Sequence, residues 1–420
     1  MSGLILGGLH SSSGKTATTC LLLAAFSKRG YDIQPFKVGP DFIDPAYHNL
    51  YSSRESRTLD FWLMGGDEAV RQEAHEFSAD CPGLVEGVMG LFDGWTPISE
   101  SESTMHVGRL VDWPIVLVVP CAKAGRSLAV ALRGFVEEAG RDRIAGVILN
   151  QVSGDSHRDY LEQAIKPLGL PVLGALPMDD VLVWPERHLG LRAAQEGGLP
   201  TRDDLAAFAE ANLDVEALWE IAMRPSSTTS FAPQIQAGEV RMKLAVARDE
   251  AFHFYYPKCL DAFEVIPFSP LHDKTIPEAD AIVLGGGFPE IYAEELSENR
   301  EMTDALAGAI EDGTRVLAEC GGFIYLSQQL QIGAERYPMV GAVPGAVEMT
   351  NRLQHFGYCL AGDSIRGHEF HHSRWTDADA HANLWQVAKR RTGQSRLEGF
   401  RTHNLEATYI HSLWTPERFS

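Results

Sequence analysis

The run Gly8-Leu9-His10-Ser11-Ser12-Ser13-Gly14-Lys15-Thr16 lies between an apolar strand signal, Leu4-Ile5-Leu6, and a helical stretch that continues to Lys28. No other feature narrows the possible folds as much. Strand, glycine-containing loop and helix in this order aim the loop's N–H groups and the helix dipole at one point, which is how a phosphate is cradled. Lys15 adds charge there, the Thr16 hydroxyl is suited to ligate Mg2+, and Gly8, Ser13 and Gly14 shape the cradle. The spacing, Gly-x5-Gly-Lys-Thr, is one residue longer than the usual form of this loop.

Further short apolar runs follow at Ile33–Val38, Leu84–Glu86, Ile115–Val119, Val147–Leu149 and Val172–Gly174, with segments such as Ser127–Ala139 reading as helices between them. Continuous apolar strands alternating with helices predict an α/β protein whose parallel sheet is covered on both faces. Between Arg224 and Glu239 the sequence turns to Pro, Ser and Thr with few aliphatics, and a second α/β pattern begins at Lys243–Ala247, continuing through Ala281–Leu284 and Arg315–Ala318. The expected organisation is a domain over 1–223, a linker over 224–240 and a second domain over 241–420.

Charge sets a different limit. With 57 acidic against 36 Lys and Arg residues the formal net charge is −21, which disfavours nucleic acid and anionic membranes as partners. An anionic small molecule would need a locally basic site. The six cysteines are dispersed without a zinc-like spacing, and no apolar stretch approaches the ~20 residues of a membrane span. A reducing cytoplasm is the expected location.

Carboxylates near the phosphate loop come from two segments, Lys37-Val38-Gly39-Pro40-Asp41-Phe42-Ile43-Asp44-Pro45 and Val85-Glu86-Gly87-Val88-Met89-Gly90-Leu91-Phe92-Asp93-Gly94. Glu86 ends a buried strand before a glycine, a costly place for a charge without a cation or its waters. Asp41 and Asp93 read equally as turn residues bonded to local backbone.

In the second half, Val316-Leu317-Ala318-Glu319-Cys320-Gly321-Gly322 places a cysteine between a strand and a helix, on a glycine-flanked turn. That is the layout of a nucleophile elbow carrying sulfur, with a helix start expected to lower the thiol pKa. A glycine run, Gly285-Gly286-Gly287, ends another strand and offers N–H groups to an oxyanion. Candidate bases are His355, His368, His371, His372, His403 and His411, the last at the end of an apolar run. His368-Glu369-Phe370-His371-His372 also matches His-Glu-x-x-His, but that zinc motif works on a helix, and Gly367 and the lack of helical periodicity speak against one.

These motifs together resemble the cobyrinate a,c-diamide synthase family, and the longer phosphate loop is similar to that of dethiobiotin synthetase and MinD-like proteins. The likeness runs through Glu86-Gly87-Val88-Met89-Gly90, Pro185-Glu186-Arg187-His188-Leu189-Gly190-Leu191, Phe252–Pro257, Phe268–Asp273, Phe356-Gly357-Tyr358 and Gly367–His371, nearly the whole chain. It implies an N-terminal dethiobiotin-synthetase-like P-loop domain and a C-terminal flavodoxin-like class I glutamine amidotransferase domain. It implies ATP, Mg2+, L-glutamine and cobyrinate, with acyl phosphates formed before amidation of the a and c acetates.

By the same resemblance Cys320 attacks glutamine, His411 is its base and acid, and Gly286, Gly287 and Gly321 form the oxyanion hole. Thr16, Asp44 and Glu86 take metal or position substrate, Lys37, Asp41 and Asp93 support phosphoryl transfer, and Asn150 contacts adenine. Arg54, Arg57, Arg187, His188, Arg366 and His368 are candidates for the polycarboxylate macrocycle, and a homodimer is an analogy drawn from related glutaminases.

Three departures stand out. The family loop usually carries Thr after its first glycine and Gly in its middle, where this chain has Leu9 and Ser12; Ser12 must then adopt a backbone geometry that glycine reaches more easily. Class I glutaminases often place Glu two residues after the histidine, and here that residue is Leu413, which leaves a Cys-His dyad. Hydrogenobyrinate or Ni-sirohydrochlorin as substrate, and a MinD-like scaffold ATPase with a degenerate glutaminase, are the competing readings.

Overall fold

The computed structural model describes residues 1–184, 186–187, 190–191, 198–226 and 242–419. In its first half seven strands form one sheet: β1 (Gly3–Gly8), β2 (Gln34–Val38), β3 (Arg57–Leu59), β4 (Gly83–Glu86), β5 (Ile115–Pro120), β6 (Ile144–Val152) and β7 (Val172–Pro177). Their order is β3-β2-β4-β1-β5-β6-β7, and every neighbouring pair is parallel. Side chains alternate across such a strand, so Leu4 and Leu6 of β1 enter one core while Ile5 enters the other. Both faces being covered, the strands read as unbroken apolar runs, each buried Leu, Ile or Val contributing about 1.5–3 kcal/mol.

Helix α1 (Lys15–Lys28) is buried over most of its surface, including Cys20 through Phe26. Tyr31 and Phe26 meet Trp219 from the outer helix Val215–Ala222, and Arg29 pairs with Glu210 and Glu216, which pins that layer in place. The loop before α1 is therefore anchored on a helix with little freedom to shift.

The second half centres on a six-stranded sheet ordered Glu264–Phe268, Lys243–Ala247, Ala281–Leu284, Arg315–Glu319, Leu405–Thr408 and Phe400–Arg401. All but the last strand run parallel, the 2-1-3-4-5 arrangement of flavodoxin-like folds. Beside it lie antiparallel sheets, one of which pairs Ile365–His371 with His355–Ala361 and with His411–Ser412. Strand β3 and these antiparallel strands are structure that the apolar-run reading did not anticipate, because they are short or alternate in polarity.

The chain divides into two compact units, Met1–Ile235 and Gln236–Ser420. Most of the expected 224–240 linker lies outside the described residues. No helix among the described residues is long and apolar enough to cross a membrane.

Candidate active sites

In the first unit β1 delivers the chain into the Gly8–Gly14 turn. Gly14 has φ +92°, and a Cβ there would stand 2.0 Å from the Asn150 amide nitrogen. Ser12 adopts φ +59°, in the left-handed region anticipated for it. The loop is braced internally: Ser13 Oγ donates to the His10 carbonyl at 2.7 Å, and Asn150 Nδ2 donates to the Ser13 carbonyl at 3.0 Å. Asn150 Oδ1 accepts from the Gln151 N–H, so in this structure the expected adenine contact is committed to backbone at both ends of its amide. Lys15 Nζ donates to the Met89 carbonyl at 2.6 Å, and burial, with Lys37 nearby, lowers its pKa to about 8.

Beyond the loop a buried polar cluster gathers on the carboxyl ends of β2 and β4. Thr16 Oγ1 donates to Glu86 Oε1 at 2.8 Å, and Lys37 Nζ donates to the same oxygen at 3.0 Å and to Asp44 Oδ2 at 2.5 Å. Asp41 Oδ2 lies 3.8 Å from Lys37 Nζ, while Oδ1 accepts from the Ile43 and Asp44 N–H groups, so Asp41 shapes the start of helix Ile43–Tyr51 as well as adding charge. His48 Nε2 contacts Glu86 Oε2 at 2.7 Å.

Burial works against charge in this cluster, yet Lys37 and then His48 hold the Glu86 carboxyl well below its usual range. For Lys37 the Asp44, Glu86 and Asp41 charges outweigh burial and keep the ammonium charged. Burial followed by Asp41 and Glu86 pushes Asp44 up. The carboxyl oxygens of Glu86, Asp44 and Asp41 thus crowd together around Lys37, and their mutual repulsion is what a bound cation would relieve. Among the described residues no group of three or more His, Cys, Asp or Glu forms a metal cage by itself. An all-oxygen set of Thr16, Glu86 and Asp44 fits a hard ion that keeps waters and takes substrate phosphates, as Mg2+ does.

Other expected contacts sit elsewhere. Arg57, proposed for the macrocycle, is buried with Nε donating to Glu73 Oε1 at 2.8 Å and its guanidinium 3.6 Å from the centre of the Phe77 ring, so it is an internal ion pair. Arg54 forms an ion pair with Asp32 at the surface. Asp93 accepts from the Gly90 N–H at 2.8 Å, the turn role, while its charge also acts on Lys15. The Arg187 side chain and His188 lie outside the described residues. Arg366 is exposed on Ile365–His371 in the second unit.

In the second unit three neighbouring parallel strands end at one place. Leu284 pairs with Ala318 and Glu319 with Thr408, so the Gly285–Gly287 run, Cys320 and His411 all follow adjacent strand ends. Cys320 has φ +49°, a strained value for a residue with a side chain, and its N–H donates to the Thr408 carbonyl at 2.7 Å. The Gly321 N–H faces the Cys320 sulfur. A Cβ on Gly286 would stand 2.5 Å from His411 Cε1, and one on Gly321 would stand 3.1 Å from the Gly287 nitrogen, so the glycines let these groups close together.

The expectation of a lowered thiol pKa is not met: burial, with Glu290 next, pushes the Cys320 thiol up, and the helix it opens, Gly321–Leu326, has only six residues. Burial, followed by His368 and His371, holds His411 well below the usual imidazole range and so neutral, the state in which it can accept a proton.

His368, expected as a candidate for the macrocycle, lies beside His411. Cross-strand pairing sets it opposite His411, the rings stack at 5.1 Å, and the Tyr256 hydroxyl meets His368 Nε2 at 2.6 Å. Burial lowers its pKa to about 3. The His-Glu-x-x-His segment is a β-strand with the last histidine just beyond it, so the helical zinc geometry does not form.

Sequence reasoning missed His48, Tyr255, Tyr256 and Glu319 as site residues. His48 was within reach, since Asp44 and His48 are four apart and share a helix face. Tyr255, whose hydroxyl accepts from the Gly285 N–H at 2.8 Å, and Tyr256 carried no local signal.

Residues 4–191 match the CobQ/CobB/MinD/ParA nucleotide binding domain family, and residues 243–419 match the CobB/CobQ-like glutamine amidotransferase domain family. A Listeria innocua protein named cobyrinate a,c-diamide synthase is 37% identical over 436 residues, covering 98% of this chain and 96% of its own. Proteins of the same name from Listeria monocytogenes and Synechocystis are 38% and 37% identical, covering 98% of this chain and 96% and 90% of theirs.

Proposed function

The chain belongs to the cobyrinate a,c-diamide synthase family, and from that premise we propose how its two sites divide the reaction. It is a ligase that uses ATP and glutamine to amidate the a and c acetate carboxylates of cobyrinate in cobalamin biosynthesis. A carboxylate resists ammonia because oxide would have to leave, so ATP first converts it to an acyl phosphate. The first unit does this: the Gly8–Gly14 loop and Lys15 hold the phosphates and neutralise charge on the transferring group. Thr16, Glu86 and Asp44 would hold Mg2+, which when bound draws charge from the phosphate oxygens. Lys37 and His48 keep the two carboxylates oriented and Asp41 adds charge beside them, while Asn150 keeps the loop in shape. Arg54, Arg187, His188 and Arg366 remain candidates for the substrate's carboxylates.

In the second unit the Cys320 thiol gives its proton to His411 and its sulfur attacks the glutamine amide carbon. N–H groups of Gly286, Gly287 and Gly321 face the resulting oxyanion. His411 returns the proton to the departing ammonia, leaving a thioester that water hydrolyses to glutamate. The observation that carries this reading is the convergence of Cys320, His411 and the glycine run on three adjacent strand ends. Domain limits of 1–223 and 241–420, a cytoplasmic setting and a homodimer complete the proposal.

The test is the mass change of cobyrinate with ATP and either glutamine or ammonium. Two successive acid-to-amide steps are expected, lost in Cys320→Ala with glutamine and restored by ammonium, and lost in Lys15→Ala with both. Glutamine hydrolysis without amidation of cobyrinate would move the substrate to another tetrapyrrole, and inactivity of both kinds would favour a scaffold.

A further inference from the structure

The position two residues after His411 holds Leu413, yet a carboxylate from another strand lies beside the imidazole: Glu319 Oε2 is 3.9 Å from His411 Nδ1. We propose that Glu319, the residue immediately before the nucleophile, is a positioning residue that orients the His411 imidazole and pairs with the imidazolium formed when Cys320 gives up its proton. This rests on the reading of Cys320 and His411 as the catalytic pair.

The placement follows from strand register. Glu319 pairs with Thr408 at the end of adjacent parallel strands, so its side chain meets the segment that carries His411 onward. Its Oε1 accepts from Ser412 Oγ at 3.2 Å and from the Ser412 N–H at 3.4 Å, which leaves Oε2 toward the histidine. Trp414 adds a further hydrogen bond, and Arg418 stands 3.8 Å away, itself held by Glu406 at 3.1 Å and by Ser412 Oγ at 3.0 Å. A carboxylate this buried costs folding stability, and buried ionisable groups of this kind cluster at functional sites. The other acidic group near His411, Glu369, is engaged by Arg396 and lies 3.7 Å from His371 Nε2.

The surrounding groups define the pH behaviour. His411 faces His368, which Tyr256 occupies; His371, whose Nδ1 meets the Ser373 carbonyl; and Glu369 from the neighbouring strands. Glu319 faces Arg418, Ser412 and Trp414, with Cys320, Cys259 and Tyr255 close enough to feel its charge, which for Cys320 opposes thiolate formation. Burial raises the Glu319 pKa to about 7, so its charge, and with it support for the imidazolium, grows as pH rises from 6 to 8.

The experiment measures glutamine hydrolysis from pH 6 to 8 in wild type, Glu319→Gln, Glu319→Asp and Cys320→Ala, with circular dichroism as the folding control. For Glu319→Gln we expect kcat to fall on the order of 10²-fold with KM little changed, and loss of the rising limb near pH 7. Wild-type kcat and an unchanged limb in folded Glu319→Gln would overturn the proposal. If that variant does not fold, Glu319→Asp decides: lowered kcat with the limb retained supports the role, and wild-type kcat overturns it. Hydrolysis persisting in Cys320→Ala would instead overturn the reading on which the inference rests, whatever the Glu319 variants do.

Discussion

His48 Nε2 and Glu86 Oε2 meet at 2.7 Å in a buried contact that ties helix Ile43–Tyr51 to the end of β4. His48 Nδ1 is in turn fixed by Ser56 Oγ at 2.9 Å, so the imidazole holds one oxygen of Glu86 while Thr16 and Lys37 hold the other. His48→Ala should leave that oxygen unsatisfied, costing about 1–3 kcal/mol of stability. It should also lower amidation ~10–100-fold with either nitrogen source, as loss of a residue orienting a metal-binding carboxylate does. Glutamine hydrolysis should be unaffected. Amidation at the wild-type rate would show that Glu86 needs no such support.

Gly286→Ala addresses the other site. The added Cβ would stand 2.5 Å from His411 Cε1, and the ring must move. Displacing a catalytic base by about 1 Å is worth roughly 10²-fold, so glutamine-dependent amidation should fall by at least that while ammonium-dependent amidation continues. Comparable losses with both nitrogen sources would mean that the substitution damages more than the histidine's position.

Arg57→Ala separates an internal ion pair from a substrate contact. The buried Glu73 would be left without its cation, a loss of about 3–5 kcal/mol, readable as a lower urea midpoint. The KM for cobyrinate should not rise in the folded fraction. A raised KM with unchanged stability would restore the macrocycle reading.

Glu398 makes stability depend on pH. Its carboxyl accepts from Thr408 Oγ1 and the Tyr409 N–H, but burial, with Glu369 next, raises its pKa to about 7 from 4.5. Below 4.5 folded and unfolded chains both carry the proton. Between 4.5 and 7 the unfolded chain loses it first, so this group's contribution is lost as pH rises through the folded value. Glu398→Gln, which stays neutral, should gain relative to wild type between pH 5 and pH 8, by at most on the order of 3 kcal/mol. Urea titrations at both pH values check this, and a difference that does not change with pH would refute it.

Strand-loop-helix order at Leu4–Thr16, the apolar runs of both units and the Glu319-Cys320-Gly321-Gly322 turn were legible in the sequence because each is local: a few consecutive residues set backbone geometry and chemistry together. Glu86 could be named as a candidate for the same reason, whereas Lys37 and Asp44 took their roles from the family resemblance, and Asp41 and Asp93 could be read two ways because a turn and a charge use the same side chain. The sequence by itself did not decide which charged groups meet. Arg57 is spent on Glu73, His368 stacks on His411, and Glu319 reaches a histidine that lies far along the chain. Those pairings depend on strand order and register, which bring together segments remote in sequence, and so only the tertiary structure decided which polar groups share a site and which serve the core.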